Sequence, residues 1–147
     1  MPASSWQLDG IVPHRGQMLL LDRVVSCDIG AKTLVAEAVA RPEWSENWVA
    51  IELMAQTAAA LAGVCDREAG YTGEPRPGFL LGTRRLELAA PRFETGRSYT
   101  VKSVNTYSDD ESASFDCEIA LDGAVVAKAT LNAYRPADME RFMEEQK

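Results

Sequence analysis

The longest apolar run in this chain lies between positions 48 and 68, where Ala, Leu and Met are frequent. Apolar side chains fall on every side of a helical projection of the run, and Glu52 and Gln56 interrupt it in its first half. A helix that is apolar all round is typical of a protein core. We therefore predict one long buried helix over residues 48–68, and no membrane span, because polar groups break the run.

Two strands are predicted before this helix. Residues 18–26 are apolar and end in β-branched residues, and residues 33–40 alternate, with Leu34, Ala36 and Ala38 on one face. Residues 29–32 between them have the composition of a turn. A strand, a turn and an alternating strand in succession predict an antiparallel hairpin.

Four more strands are predicted after the helix, separated by segments that contain Gly, Pro or Asp. They are expected over residues 79–88, 98–107, 112–121 and 124–134. Asp122-Gly123, between the last two, is typical of a type I′ hairpin turn. Beyond Pro136, residues 137–145 predict a short amphipathic helix.

The order β-β-α-β-β-β-β indicates an α+β fold in which a largely antiparallel sheet wraps one central helix. Such a sheet buries the helix on most sides, which explains why the helix is apolar all round. A chain of 147 residues suits a single domain, residues 1–147, with a core large enough to be stable by itself.

Charge and cysteine content narrow the classes of function. A net charge of −7 argues against nucleic-acid binding, because phosphates require a basic face. Cys27, Cys65 and Cys117 form no CxxC pair, and one histidine cannot complete a usual zinc site. We expect reduced, mostly buried thiols and no metal. The first residues lack the pattern of a signal peptide, so we expect a cytoplasmic protein.

Candidate proton-transfer chemistry rests on two residues. His14 is the only histidine, and imidazole is the side chain that titrates nearest neutrality. Glu52 stands near the start of the apolar helix, where burial can turn a carboxyl group into a proton donor. Gln56 is one turn further along the same face and could hold the Glu52 carboxylate or a water. The structural alternatives are a carboxylate that complements the helix dipole and a histidine that fixes a turn.

Three segments, in order, match patterns of a known family. Residues 13–24 match "PHR…LLVDRV", residues 52–56 match "EAMAQ" at a helix start, and residues 78–96 match a third strand with the turn after it. The chain thus resembles the hotdog-fold (3R)-hydroxyacyl-[acyl-carrier-protein] dehydratases over nearly its whole length. One feature departs from the family: its usual catalytic histidine lies in an "HFPGxPxMPG" loop, and the corresponding residues 41–50 contain none. In this the chain looks like the dehydratase-like branch of aryl-polyene and polyketide-type gene clusters.

The resemblance implies a hotdog fold and a dehydratase-like activity on 3-hydroxyacyl thioesters in fatty-acid or polyketide-type synthesis. The substrate would arrive on the phosphopantetheine of an acyl carrier protein, so no cofactor of the protein's own is expected. Hotdog domains build their sites across a twofold interface. This implies a homodimer or a hetero-oligomer with another hotdog subunit.

The resemblance and the residue chemistry together predict roles for particular residues of the site. Glu52 and His14 are the catalytic candidates, and Gln56, Trp48 and Gly82 are the candidate substrate contacts. Trp48 could equally be a hydrophobic staple of the helix. Three arginines in an acidic chain form either a solvated face or a docking patch for an acidic carrier protein. They are Arg84, Arg85 and Arg92.

Two other functions stay open at this point. A hotdog thioesterase would use Glu52 as the base for water, with Gln56 orienting that water. A non-catalytic hotdog subunit would instead complete a heterodimer and lend surface or one residue to a competent partner. The missing loop histidine favours this last alternative.

Overall fold

The computed structural model describes residues 6–14, 16–44, 48–75, 79–89 and 93–134. Two short 3-10 turns, Leu8–Gly10 and Gly16–Met18, precede the first strand. The helix and strands are β1 (Arg23–Asp28), β2 (Thr33–Val39), α1 (Trp48–Glu68), β3 (Phe79–Leu88), β4 (Ser98–Ser108), β5 (Ser112–Leu121) and β6 (Ala124–Tyr134). The helix predicted at residues 137–145 lies outside the described residues.

The six strands form one antiparallel sheet in the order β1-β2-β4-β5-β6-β3. Strands β1 and β3 are its edges, and the chain crosses through α1 between β2 and β3. In the β5–β6 turn, Asp122 and Gly123 have φ values of 52° and 84°, as a type I′ turn requires. The predicted α+β hotdog architecture and this turn are confirmed.

Alternating side chains of the sheet build one wall of the core. Ala36, Val101, Ile119 and Ala127 stand side by side across β2, β4, β5 and β6, and all four are buried. Helix α1 packs on this face through residues such as Leu53, which is fully buried. The alternation of strand residues therefore decides which face receives the helix.

Helix α1 begins and ends where the sequence predicts, at Trp48 and Glu68. By length and composition it could cross a membrane, but most of it is buried inside this fold, as is typical of a core helix. One flank is only half-buried, and it carries Ala55, Ala59 and Ala62. The burial of the helix is thus less complete than its all-round apolarity predicts.

The amino-terminal segment packs closely on the second half of α1. At Gly63 an added Cβ would overlap the Ile11 carbonyl group, with the carbonyl carbon 2.8 Å away. Four residues later along the helix, the Arg67 Nε donates a hydrogen bond of 2.9 Å to the Gly10 carbonyl oxygen. The absence of a side chain at position 63 therefore lets the backbone of this segment lie directly against the helix.

The predicted first strand, residues 18–26, is wrong at its beginning, because β1 starts at Arg23. A backbone bond to the neighbouring strand β2 is made by the Asp22 N–H, but earlier backbone groups bond to side chains instead. Met18 and Leu20 bond to the Gln56 amide, and the Leu19 carbonyl oxygen accepts a bond of 2.7 Å from Arg41. These partners lie far away in sequence, so the local pattern contains no sign of them.

Candidate active site

The structure brings His14 and Glu52 together. The His14 Nε2 lies 3.6 Å from the Glu52 Oε1, with side chains 27% and 34% exposed. His14 comes from the segment between the two 3-10 turns, and Glu52 from the second turn of α1. The two catalytic candidates thus lie side by side, and their catalytic roles remain a prediction.

Gln56 holds the Glu52 carboxylate in place. Its side chain is fully buried, and its Nε2 donates 2.9 Å to the Glu52 Oε1 and 2.7 Å to the Met18 carbonyl oxygen. Its Oε1 accepts a hydrogen bond of 2.8 Å from the Leu20 N–H. Both amide hydrogens are therefore donated within the protein. Gln56 thus holds the Glu52 carboxylate, as one of its predicted roles requires, and its contact with substrate stays a prediction.

Both contacts of Glu52, with Gln56 and with His14, are made by one oxygen of its carboxylate. The Glu52 Oε1 accepts the hydrogen bond from the Gln56 amide and also lies near the His14 imidazole. The carboxylate therefore has a fixed orientation. Glu52 also stands close to the amino end of α1, where unpaired backbone N–H groups give a positive end to the helix dipole. The site therefore brings together an imidazole and a carboxylate close to the positive end of a helix dipole.

A cavity of about 440 Å³ extends from this pair along the half-buried flank of α1. Pro13, His14 and Glu52 lie at one end, and the helix contributes a row of alanines. The other wall comes from apolar residues of the sheet, among them Leu80, Phe115 and Leu131. An elongated apolar cavity with a few polar groups at one end is typical of a small-molecule site.

The thiols at two positions are poorly suited to nucleophilic chemistry. Burial raises the pKa of the Cys117 thiol to about 12. Burial, together with the neighbouring Cys65, raises the pKa of the Cys27 thiol to about 11. Because the thiolate is the nucleophile, these groups stay protonated and unreactive near neutrality. Neither of these thiols lines the cavity; Cys65 does, beside Asp66 at its far end, and His14 and Glu52 are the candidate reactive groups at the end where they meet.

Comparison with known proteins identifies the family. The family model described as ApeP dehydratase matches residues 6–144. The chain belongs to the ApeP-like family. It is a dehydratase-like hotdog protein of the aryl-polyene type, as the three sequence segments predict. A comparison with curated proteins finds no match.

Solved structures share the fold of this ApeP-like chain. A chain of the dehydratase heterocomplex ApeI:P from Xenorhabdus doucetiae has a TM-score of 0.84 at 24% identity, covering 98% of this chain and 100% of that one. An HP0420 homologue from Helicobacter felis has a TM-score of 0.65 at 8% identity, with 89% of each chain covered. A hypothetical thioesterase with coenzyme A from Streptococcus pneumoniae reaches 0.52 at 15% identity, covering 71% of this chain and 78% of that one. At these identities the likeness shows the hotdog fold alone.

Two predicted substrate contacts of the ApeP-like chain lie outside the described lining of the cavity. Trp48 is 57% exposed at the start of α1, and Gly82 stands opposite Asn132 in the β3–β6 pair. Their roles in substrate binding stay predictions that rest on the sequence. Ala55, Ala59 and Ala62, the alanine flank of the cavity, are not among the site residues predicted from sequence. Their spacing of four and three residues nevertheless places them on one helix face.

The predicted docking arginines lie at and near an edge of the sheet. Arg84 and Arg85 are exposed on the edge strand β3, and the Arg84 guanidinium donates 3.3 Å to the Asn132 side chain. Arg85 has a φ of 55° where the register of the β3–β6 pair shifts. Arg92 lies outside the described residues. The docking role of these arginines stays a prediction.

Proposed function

We propose that this ApeP-like protein dehydrates 3-hydroxyacyl thioesters, with His14 as the base and Glu52 as the acid. The observation that carries this proposal is the 3.6 Å approach of imidazole and carboxylate at the head of an apolar cavity. Dehydration needs a base for the α-proton and an acid for the departing hydroxyl group. The pair has one group suited to each task.

The reaction balances within this pair. The His14 imidazole takes the α-proton, the carbon–oxygen bond at C3 breaks, and protonated Glu52 gives its proton to the leaving hydroxyl. The products are water and a 2-enoyl thioester, with the imidazole protonated and Glu52 ionised. Because Nε2 and Oε1 are 3.6 Å apart, a small approach lets the proton return to Glu52 and resets the site.

We assign stabilisation of the negative charge on the thioester oxygen to the amino end of α1. Removing the α-proton develops an enolate on that oxygen, and backbone N–H groups at a helix amino end stabilise such charge. Gln56 contributes indirectly, because its hydrogen bond fixes the direction in which Glu52 presents its proton. The apolar cavity then receives the acyl chain and keeps water away from it.

A second hotdog subunit is part of the proposal. The structure with a TM-score of 0.84 belongs to a dehydratase heterocomplex, and residues 41–50 of this chain contain no histidine. Both observations support a hetero-oligomer. The edge strand β3 offers unpaired backbone groups that a second sheet can extend.

The test is a turnover assay of the chain alone and then with a hotdog partner from the same gene neighbourhood. A 3-hydroxyacyl thioester should yield a 2-enoyl thioester, whose conjugated double bond is measured by absorbance. Release of free thiol without an enoyl product would support a thioesterase. If the rate of a catalytically competent partner is unchanged when this chain is added, an enzymatic role of this chain is contradicted.

The first prediction concerns His14. His14→Ala should lose most of kcat with little change in KM, because the imidazole acts on the bound substrate and contributes little to holding it. A variant with the parent's kcat would assign His14 to the turn.

The second prediction concerns carrier docking. Reversing Arg84 and Arg85 to Glu should weaken binding of an acyl carrier protein and leave turnover of a small thioester unchanged. Exposed charges are screened over about 8 Å at physiological ionic strength, so the effect should shrink as salt rises. Lys32→Glu is a matched control for Arg85, because Lys32 is also exposed and has a φ of 51°. Equal carrier affinity of parent and double variant at low salt would refute the patch.

A further inference from the structure

The cavity continues well beyond the catalytic candidates. Along the half-buried flank of α1 it passes Ala55, Ala59 and Ala62 and ends beside Asp66. At about 1.5 Å of rise per residue, Glu52 and Asp66 are separated by about 21 Å along the helix axis. An acyl chain whose thioester lies at Glu52 therefore has room to extend along the helix.

The walls beside this path are mostly apolar. The alanine side chains leave space that larger residues would fill, and strand residues close the opposite side. The strand residues are Leu80, Ala113, Phe115, Leu131 and Ala133. A hydrocarbon chain is the ligand chemistry that such walls favour, because its burial removes apolar surface from water.

The loop between β4 and β5 forms the far rim, and Asp109 holds its shape. The Asp109 carboxylate accepts hydrogen bonds from the Glu111 and Ser112 N–H groups and from the Tyr107 hydroxyl. These bonds lower the pKa of Asp109 to about 2. The loop therefore keeps a defined conformation and an ionised carboxylate at neutral pH.

Two further carboxylates on this loop, Asp110 and Glu111, also line the cavity and are exposed. The described lining residues include no lysine or arginine to compensate them. A chain that ends in a carboxylate would meet a like charge here, whereas an uncharged end would not.

We propose that this site selects acyl thioesters whose chains extend along the alanine flank and end in an uncharged group, and that it rejects chains ending in a carboxylate. The inference rests on the proposed function, because it takes Glu52 as the thioester end of the cavity. The acidic rim acts as a filter against one chain terminus, an example of specificity by repulsion.

The test compares two saturated probes, decanoyl-N-acetylcysteamine and its ω-carboxyl analogue. Neither has a hydroxyl group to lose, so binding is measured without dehydration, by calorimetry on the full chain in the oligomeric form in which it purifies. At low salt the carboxylate probe should bind about tenfold more weakly, and the difference should shrink in about 1 M salt, where screening acts within about 3 Å. Asp110→Asn with Glu111→Gln should reduce the difference between the two affinities, and Asp66 and Asp109, which also line the cavity, keep the remainder.

Two controls make the result specific. Glu43→Gln with Glu74→Gln removes the same charge from exposed sites that do not line the cavity, and should keep the discrimination. Ala62→Leu should weaken binding of the decanoyl probe but not of a butanoyl probe, because it fills the distal path and leucine is a good helix former. Ala124→Leu, at an exposed strand end, should change neither affinity.

Equal affinity of the parent for both ten-carbon probes, or discrimination that Asp110→Asn with Glu111→Gln leaves unchanged, would overturn the inference. Failure of the decanoyl probe to bind would also overturn it, whatever the turnover assay shows. If discrimination holds but no enoyl product forms, the dehydratase proposal fails and the selectivity of the cavity stands.

Discussion

Glu52→Gln is expected to lower kcat for a 3-hydroxyacyl thioester by about 10²–10⁴-fold while the fold is retained. The range is what positioned acid–base groups usually contribute. The change keeps the shape of the side chain and leaves an oxygen that can accept the hydrogen bond from Gln56. It removes the proton that we assign to the leaving hydroxyl group. Stopped-time assays of enoyl product, beside thermal unfolding of both proteins, measure the two effects separately.

Glu37→Gln is a suitable control for this variant. Glu37 also accepts a side-chain hydrogen bond, at 3.1 Å from the Arg23 Nε, but it lies on β2 and does not line the cavity. Its turnover should match that of the parent. If Glu52→Gln also turns over at the parent's rate, Glu52 has a structural role and the proposed mechanism is wrong.

Gly63→Ala should destabilise the protein by about 1–3 kcal/mol and reduce turnover as well. The new Cβ would overlap the Ile11 carbonyl group, and backbone atoms cannot yield as a flexible side chain can. Relieving the overlap requires the amino-terminal segment to move away from α1. His14 follows Ile11 by three residues, so the imidazole should move away from Glu52 at the same time. Denaturant unfolding and kcat of the same preparation check the two parts.

Gly10→Ala is the matched control, because Gly10 lies in the same segment but its added Cβ would meet nothing within 4 Å. It should change stability by less than about 1 kcal/mol, the usual scale for a glycine change at a compatible site. A Gly63→Ala variant as stable as the Gly10→Ala variant would show that the segment does not pack on the helix as described.

The regular elements could be predicted because their signals are local. Alternation places Leu34 and Ala36 inward, and the bounds of α1 follow from a continuous apolar run. The beginning of β1 could not be predicted, because it depends on Gln56, which lies 36 positions from Leu20. A side chain that competes with a neighbouring strand for backbone groups leaves no trace in the local pattern.

The site was only partly predictable for the same reason. Residue chemistry and the family patterns single out His14 and Glu52, but their 3.6 Å separation depends on how the amino-terminal segment crosses α1. Gly63 is an example. A glycine inside a helix indicates a lower helix propensity. It does not reveal that Ile11 packs against that position. The alanine flank was treated as core because apolarity alone does not distinguish a core wall from a cavity wall.

The packing of Ile11 on Gly63 determines how long His14 and Glu52 stay together. Glu52 belongs to the central helix, whereas His14 belongs to a short segment that lies outside the sheet and packs on α1. Proteins open in cooperative units of unequal stability, and short segments outside the main sheet usually open at lower free energy. Detachment of this segment alone would separate imidazole from carboxylate while the sheet remains intact. We therefore expect a sub-global opening of this segment to abolish the proposed activity before spectroscopic probes report global unfolding.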